Sequence, residues 1–156
     1  MTSLGRLAIA AAAIGLVAFA APARAEIACT VLEIEAATAA TPSIDPKLRP
    51  LERKLKKPPF TSWNSFQQLG TTQLGLDLQK SASAALVHGK INLHVRDVIE
   101  RPGKRARLQL GIALDDGAGK RVIDTKVNVD VGDYFVAGRP LPGDKGHLVA
   151  VTCTKP

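Results

Sequence analysis

Residues able to do chemistry are sparse and scattered along this 156-residue chain. The histidines are His88, His94 and His147. Nucleophilic catalysis needs a Ser, Cys or Thr beside a base, with a third group orienting that base. No Gly-x-Ser-x-Gly elbow is present. His94 alternates with Leu93 and Val95, so it shares a polar strand face with Asn92 and Arg96. His88 falls in a turn, and His147 opens a strand after Gly146. Nothing in their spacing builds a metal site. Asp97 with Glu100, and Asp130 with Asp133, are close carboxylate pairs. Glycoside hydrolysis needs such a pair across a cleft at a defined separation. Clefts of that kind also use aromatic platforms, and the chain has only four Phe, one Trp and one Tyr. Gly117-Ala118-Gly119-Lys120 has the composition of a phosphate loop, but Leu114 and Arg121 stand where that loop needs Gly and Ser or Thr. Asp115 and Asp116 read as turn residues, because a calcium loop supplies more oxygens at regular spacing. The expectation is no catalytic residue, no cofactor and no metal.

Two basic clusters remain. Lys54, Lys56 and Lys57 form one; Arg101, Lys104, Arg105 and Arg107, around Pro102-Gly103, form the other. If they converge, they make a patch for phosphate or sulfate groups. If they stay apart, they are a solvated helix end and a charged loop that discourages sheet-edge aggregation.

The first 25 residues set the compartment. Arg6 is a positive start, Leu7 to Ala20 is an unbroken small-apolar run, and Ala23-Arg24-Ala25 fits a small-x-small cleavage site. This reads as a secretory signal peptide cut after Ala25, with a secreted or periplasmic product. The run is shorter than the roughly 20 residues of a membrane span, and no later run is long enough to be one. Arg6 and Arg24 leave with the signal, and no acid does, so the net charge falls from +7 to +5. Mild basicity favours anionic partners. The partner expected is an envelope protein or an anionic polysaccharide, and nucleic acid is not expected.

Residues 26–156 suffice for a single domain with its own core. Cys29 and Cys153 lie near its two ends. In an oxidising compartment the two are expected to pair. The loop between them spans 124 positions, for which chain entropy gives roughly 5 kcal/mol as an upper guide.

The elements follow from periodicity. Ile27–Ala36 reads as an opening strand. Asp45 caps, and Pro46 starts, a short helix over 46–57; Leu48, Leu51 and Leu55 share one face, and Pro58-Pro59 ends it. Pro50 removes one hydrogen bond inside that helix. Phe60, Trp63 and Phe66 read as core residues, with a binding platform as the alternative, and their spacing puts aromatics on both faces of any regular strand. A bulge or one exposed ring should follow. Leu74, Leu76 and Leu78 alternate as a strand. Ala84–Val87 and Ile91–Val95 flank a turn, and the alternations over 106–114 and 122–131 make a hairpin. Tyr134–Ala137 and Leu148–Cys153 are short strands, with Arg139–Gly146 a loop between them. About eight antiparallel strands and one short helix in the N-terminal half imply a mainly-β sandwich. The helix is expected to cap an open end.

Two stretches carry a resemblance. One runs from Ile44-Asp45-Pro46-Lys47-Leu48 through Leu55-Lys56-Lys57 to Pro59-Phe60 and on to Leu69. The other runs from Gly132-Asp133-Tyr134-Phe135-Val136-Ala137-Gly138 to Gly146-His147-Leu148-Val149-Ala150-Val151. Together they resemble a group of small secreted bacterial β-rich proteins of unknown function. That resemblance implies secretion and a β-rich fold, and it implies no activity. The function expected is a non-enzymatic module that binds another envelope component. A small secreted hydrolase and a structural subunit of a surface assembly are the alternatives.

Overall fold

The computed structural model describes residues 27–155. The expected signal peptide, residues 1–25, lies outside the described residues. The described residues form nine strands: β1 (Ile27–Ala37), β2 (Ser43–Ile44), β3 (Ser65–Leu76), β4 (Ser81–Leu86), β5 (Gly89–Ile99), β6 (Arg107–Asp115), β7 (Arg121–Asp130), β8 (Tyr134–Leu141) and β9 (Lys145–Thr154). They make a five-stranded sheet in the order β2-β3-β1-β9-β8 and a four-stranded sheet in the order β4-β5-β6-β7. All pairings are antiparallel except the two-residue β2 against β3. The fold is a β-sandwich.

Side chains alternate across a strand, and that alternation explains the core. Ile27, Cys29 and Val31 of β1, with Val149, Val151 and Cys153 of β9, point inward. They meet Ile91, Leu93 and Val95 of β5 and Leu108, Leu110, Ile112 and Leu114 of β6. The intervening residues of the first sheet point outward, yet Leu32, Ile34, Ala36, Leu148 and Ala150 are also buried. What covers them is the helical segment, through Leu48, Leu51 and Leu55, together with Phe60 and Phe66. The helix therefore does not cap an open end; it lies on the outer face of the five-stranded sheet. The cause is that β1 and β9 carry mostly apolar side chains on both faces.

The helix itself differs from the continuous one expected over 46–57. Pro46–Leu51 winds as a 3-10 helix, and only Glu52–Leu55 (α1) is α-helical. Pro50 has no N–H to give to the carbonyl four residues back, and its ring crowds that carbonyl. The tighter winding suits the two prolines at positions 46 and 50. Asp45 caps as expected, its Oδ1 accepting from the Lys47 amide at 3.0 Å.

Two strand boundaries also shift. β8 runs on through Arg139 and Pro140, which the sequence reading placed in a loop. β8 is an edge strand, where a proline without N–H costs no ladder bond. β3 begins at Ser65 and ends at Leu76, leaving Leu78 in a turn and 41% exposed. Leu69 is skipped in the β3 register against β1, a bulge between Glu33 and Ile34.

Cys29 and Cys153 are direct cross-strand partners on β1 and β9 and form the disulfide. Both lie in the sandwich interior. Replacing both by Ala is expected to lower the unfolding free energy by about 3–5 kcal/mol, mainly by freeing the unfolded chain. Urea denaturation of the oxidised protein and of the double variant measures this directly.

Candidate functional site

The two basic clusters stay apart. The arginine cluster is consumed in ion pairs at the β5–β6 loop. Arg101 Nη2 and Arg107 Nε both reach Asp130 Oδ1, at 2.9 and 2.8 Å, and Arg105 Nη1 reaches Asp133 Oδ1 at 3.1 Å. Hydrogen bonds from Arg107 and Arg101 hold the Asp130 carboxyl below the usual carboxylate range. Of this cluster only Lys104 makes no ion pair among the described residues. These contacts pin the loop to the end of β7 and set two carboxylates against its four cations, so less of its positive charge is uncompensated than in the lysine cluster.

The lysine cluster is different. Lys54, Lys56 and Lys57 belong to a wider set, because Lys47, Arg49 and Arg53 occupy the same short segment. All six cations are exposed, and the segment holds a single acid, Glu52. Among the described residues only Lys56 makes an ion pair, with Glu52, which draws the Glu52 carboxyl below its ordinary range. The local cause is helical spacing. Leu48, Leu51 and Leu55 bury one face, so every other position of the segment turns to water. Residues 47, 49 and 53 were missed in the sequence reading, which took only the run of lysines at the helix end.

Trp63 adjoins this segment. Phe60 is buried in a 3-10 turn (Phe60–Ser62) and Phe66 is buried on β3, so Trp63 is the ring left part-exposed. Its indole lies over Gly146 of β9. A Cβ there would come within 2.5–2.8 Å of three atoms of the six-membered ring, so the close seat requires glycine. Trp63 lines two grooves. One, of about 570 Å³, is shared with Arg49, Glu52, Lys56, Ser43 and Asn64. The other, of about 560 Å³, is shared with Thr38, Ser62, Asp144 and Lys145. Asn64 is fixed by hydrogen bonds to the Ala39 amide and carbonyl, at 2.8 and 2.9 Å. The floor of the first groove is therefore held in place.

A second polar constellation lies inside the sandwich. Glu33 is only 3% exposed and His147 is fully buried. Glu33 Oε1 accepts from His147 Nε2 at 2.9 Å and from the His88 amide at 3.0 Å, and Oε2 accepts from the Val87 amide at 2.8 Å. A carboxylate can only accept, so the proton on this contact belongs to Nε2. Burial alone would raise the Glu33 carboxyl, but the hydrogen bond from His147 and the two amides outweigh it and hold the group below its ordinary range. His88 packs edge-on to His147, with ring centroids 5.2 Å apart, and faces Glu35 at 3.6 Å. Arg139 Nη2 reaches the His88 carbonyl at 3.4 Å. These contacts tie the β4–β5 hairpin tip to the opposite sheet. They are a clamp, since His147 has no exposure through which to meet a substrate. Parity carried the missed signal: Glu33 has the same inward parity as Ile27, Cys29 and Val31.

The remaining chemistry is dispersed. His94 lies on the outer face of the four-stranded sheet, over Gly111. Asp116 Oδ1 accepts from the Ala118 and Lys120 amides at 2.9 Å each, closing the β6–β7 turn. Among the described residues, no group of three His, Cys, Asp or Glu is placed to hold a metal ion, and no helix is long and apolar enough to cross a membrane. Compared with family models, with curated proteins and with solved structures, the chain has no match.

Because the folded-state carboxyl of Glu33 sits below its unfolded value, its stabilisation is present above about pH 4.5. It is lost as pH falls through the lower, folded-state value. Glu33→Gln removes the charge and leaves buried donors poorly met, so it is expected to cost about 2–4 kcal/mol at pH 7. It should also reduce the dependence of stability on pH below 4.5. Urea titrations of both proteins from pH 7 down to pH 3 check both effects; equal slopes in the acid range would sink the clamp assignment.

Proposed function

We propose that this domain is a secreted or periplasmic, non-enzymatic module that docks on an anionic polymer of the cell envelope. The observation that carries this reading is the sign of the charge on 47–57, where six exposed cations stand against one acid. They project from a segment whose leucines lock it to the sheet. A fixed, one-signed surface attracts a polyanion at long range and keeps its cations in register on contact. The disulfide is compatible with an oxidising compartment. The buried Glu33–His147 pair and the arginine–Asp130 pairs are already engaged in holding the fold, which favours binding over catalysis.

The test is co-sedimentation of the oxidised protein with isolated envelope fractions across a salt titration, before and after protease digestion of the fractions. Binding is expected to weaken steeply with salt and to survive digestion. Lys54→Glu with Lys57→Glu should lower affinity by more than about tenfold at low salt. Lys104→Glu, which changes the arginine loop, should change it much less. Binding that ignores salt and disappears on digestion would assign a protein partner instead.

A further inference from the structure

The positive segment and the part-exposed ring share one groove, and that juxtaposition narrows the ligand. We infer that the groove between α1 and Trp63 is a subsite for an acidic polysaccharide, with a sugar ring stacked on Trp63 and its carboxylate directed to Arg49. The inference rests on the envelope-polymer reading above and deepens it.

Three features point to a sugar rather than to a bare polyanion. First, the ring is fixed before any ligand arrives. Gly146 seats one face of the indole, so stacking on the other side needs little ordering of the side chain. A pyranose presents an apolar C–H face that matches a flat aromatic surface, much as aromatic side chains favour flat, apolar contacts in cores. Second, Trp63 lies between two grooves of nearly equal size, about 570 and 560 Å³, so the platform is open along both directions. A polymer can then continue past the stacked residue on either side. Third, the polar groups beside the ring suit a hydroxyl-rich ligand with one anionic group per residue. Thr61 lines the first groove with Arg49, Glu52 and Lys56, and so do Ser43 and Asn64, which are held by Ser65 and by the Ala39 backbone and keep their remaining donor and acceptor capacity for a ligand. Lys56 is engaged with Glu52, whereas Arg49 makes no ion pair among the described residues and has the forked geometry that suits a carboxylate. A polyanion without sugar rings would use the cations and leave Trp63 unchanged.

Trp63 is the only tryptophan of the chain, so selectively excited tryptophan emission reports on this one ring and the two grooves it lines. The experiment titrates the oxidised protein with three probes at low salt: polygalacturonate, poly-glutamate at equal charge concentration, and neutral dextran. Polygalacturonate is expected to shift Trp63 emission and to protect the ring from acrylamide. Poly-glutamate should bind with similar salt sensitivity, by co-sedimentation or light scattering, while Trp63 stays open to the quencher. Dextran should bind weakly or not at all. Arg49→Ala, at an exposed position outside the core, should raise the polygalacturonate Kd about 3- to 10-fold, as should Trp63→Ala. Since Trp63 also covers Gly146, the wild-type fluorescence arms carry the decision if the Trp63 variant is poorly folded. Equal fluorescence responses to polygalacturonate and poly-glutamate, or binding of both with none, would overturn the stacked-sugar subsite and leave the polyanion reading standing. Failure of both polymers to bind would remove that reading and this inference with it.

Discussion

The structure depends on one constraint: β1 and β9 are buried on both faces, by mostly apolar side chains. A strand buried on one side needs one covering layer, and these two need a layer on each side. The four-stranded sheet supplies the inner cover through β5 and β6. The helical segment supplies the outer one through Leu48, Leu51 and Leu55. Each such leucine, fully buried, contributes on the order of 1.5–3 kcal/mol relative to exposure. That is enough to hold a segment whose own helix propensity is poor, with prolines at positions 46 and 50. The helix is thus a tertiary product, formed because the sheet needs it.

That same arrangement sorts the charges. Leucines at spacings of three and four face the sheet, so the cations of the segment have only the solvent side to occupy. At the β5–β6 loop the opposite holds. Asp130 ends β7 and Asp133 follows in the turn after it, both beside the arginines, and cross-strand pairing of Arg107 with Asp130 brings unlike charges together. Two clusters that look alike as counts of Lys and Arg therefore differ in what they present. One is a brace whose arginines are paired with Asp130 and Asp133, and the other is an exposed positive surface with an aromatic ring beside it.

Much of this was legible in the residue order. Alternation in 106–114 and 122–131 is strong enough to define β6 and β7, and the single cysteine pair near the domain ends implied neighbouring terminal strands. Asp45 and Pro46 marked the helix start. What escaped were features set by long-range contacts. The position of the helix depended on which face of β1 lacked a cover, and that required knowing that β1 lies between β3 and β9. Pro140 reads as a breaker until β8 is known to be an edge. The engagement of the arginines required the pairing of β6 with β7, while the seat of Trp63 on Gly146 joins positions 83 residues apart. The Glu33 clamp was visible as a parity anomaly, since a carboxylate in an inward row has to find partners, but its partners on the β4–β5 hairpin were not.

The disulfide also determines how the domain answers to mechanical load. Cys29 is the third residue of β1, and Cys153 is the last but one of β9. Tension applied between those two strand ends passes almost at once into the sulfur–sulfur bond. The residues enclosed by the bridge, between cysteines 124 positions apart, lie off the line of force. Pulling apart the start of β1 and the end of β9 would draw on a covalent link rather than on the hydrogen-bond ladder between the two strands. The groove beside Trp63, and the positive segment above it, would keep their shape under a tension that would unzip an uncrosslinked sandwich from its terminal strands.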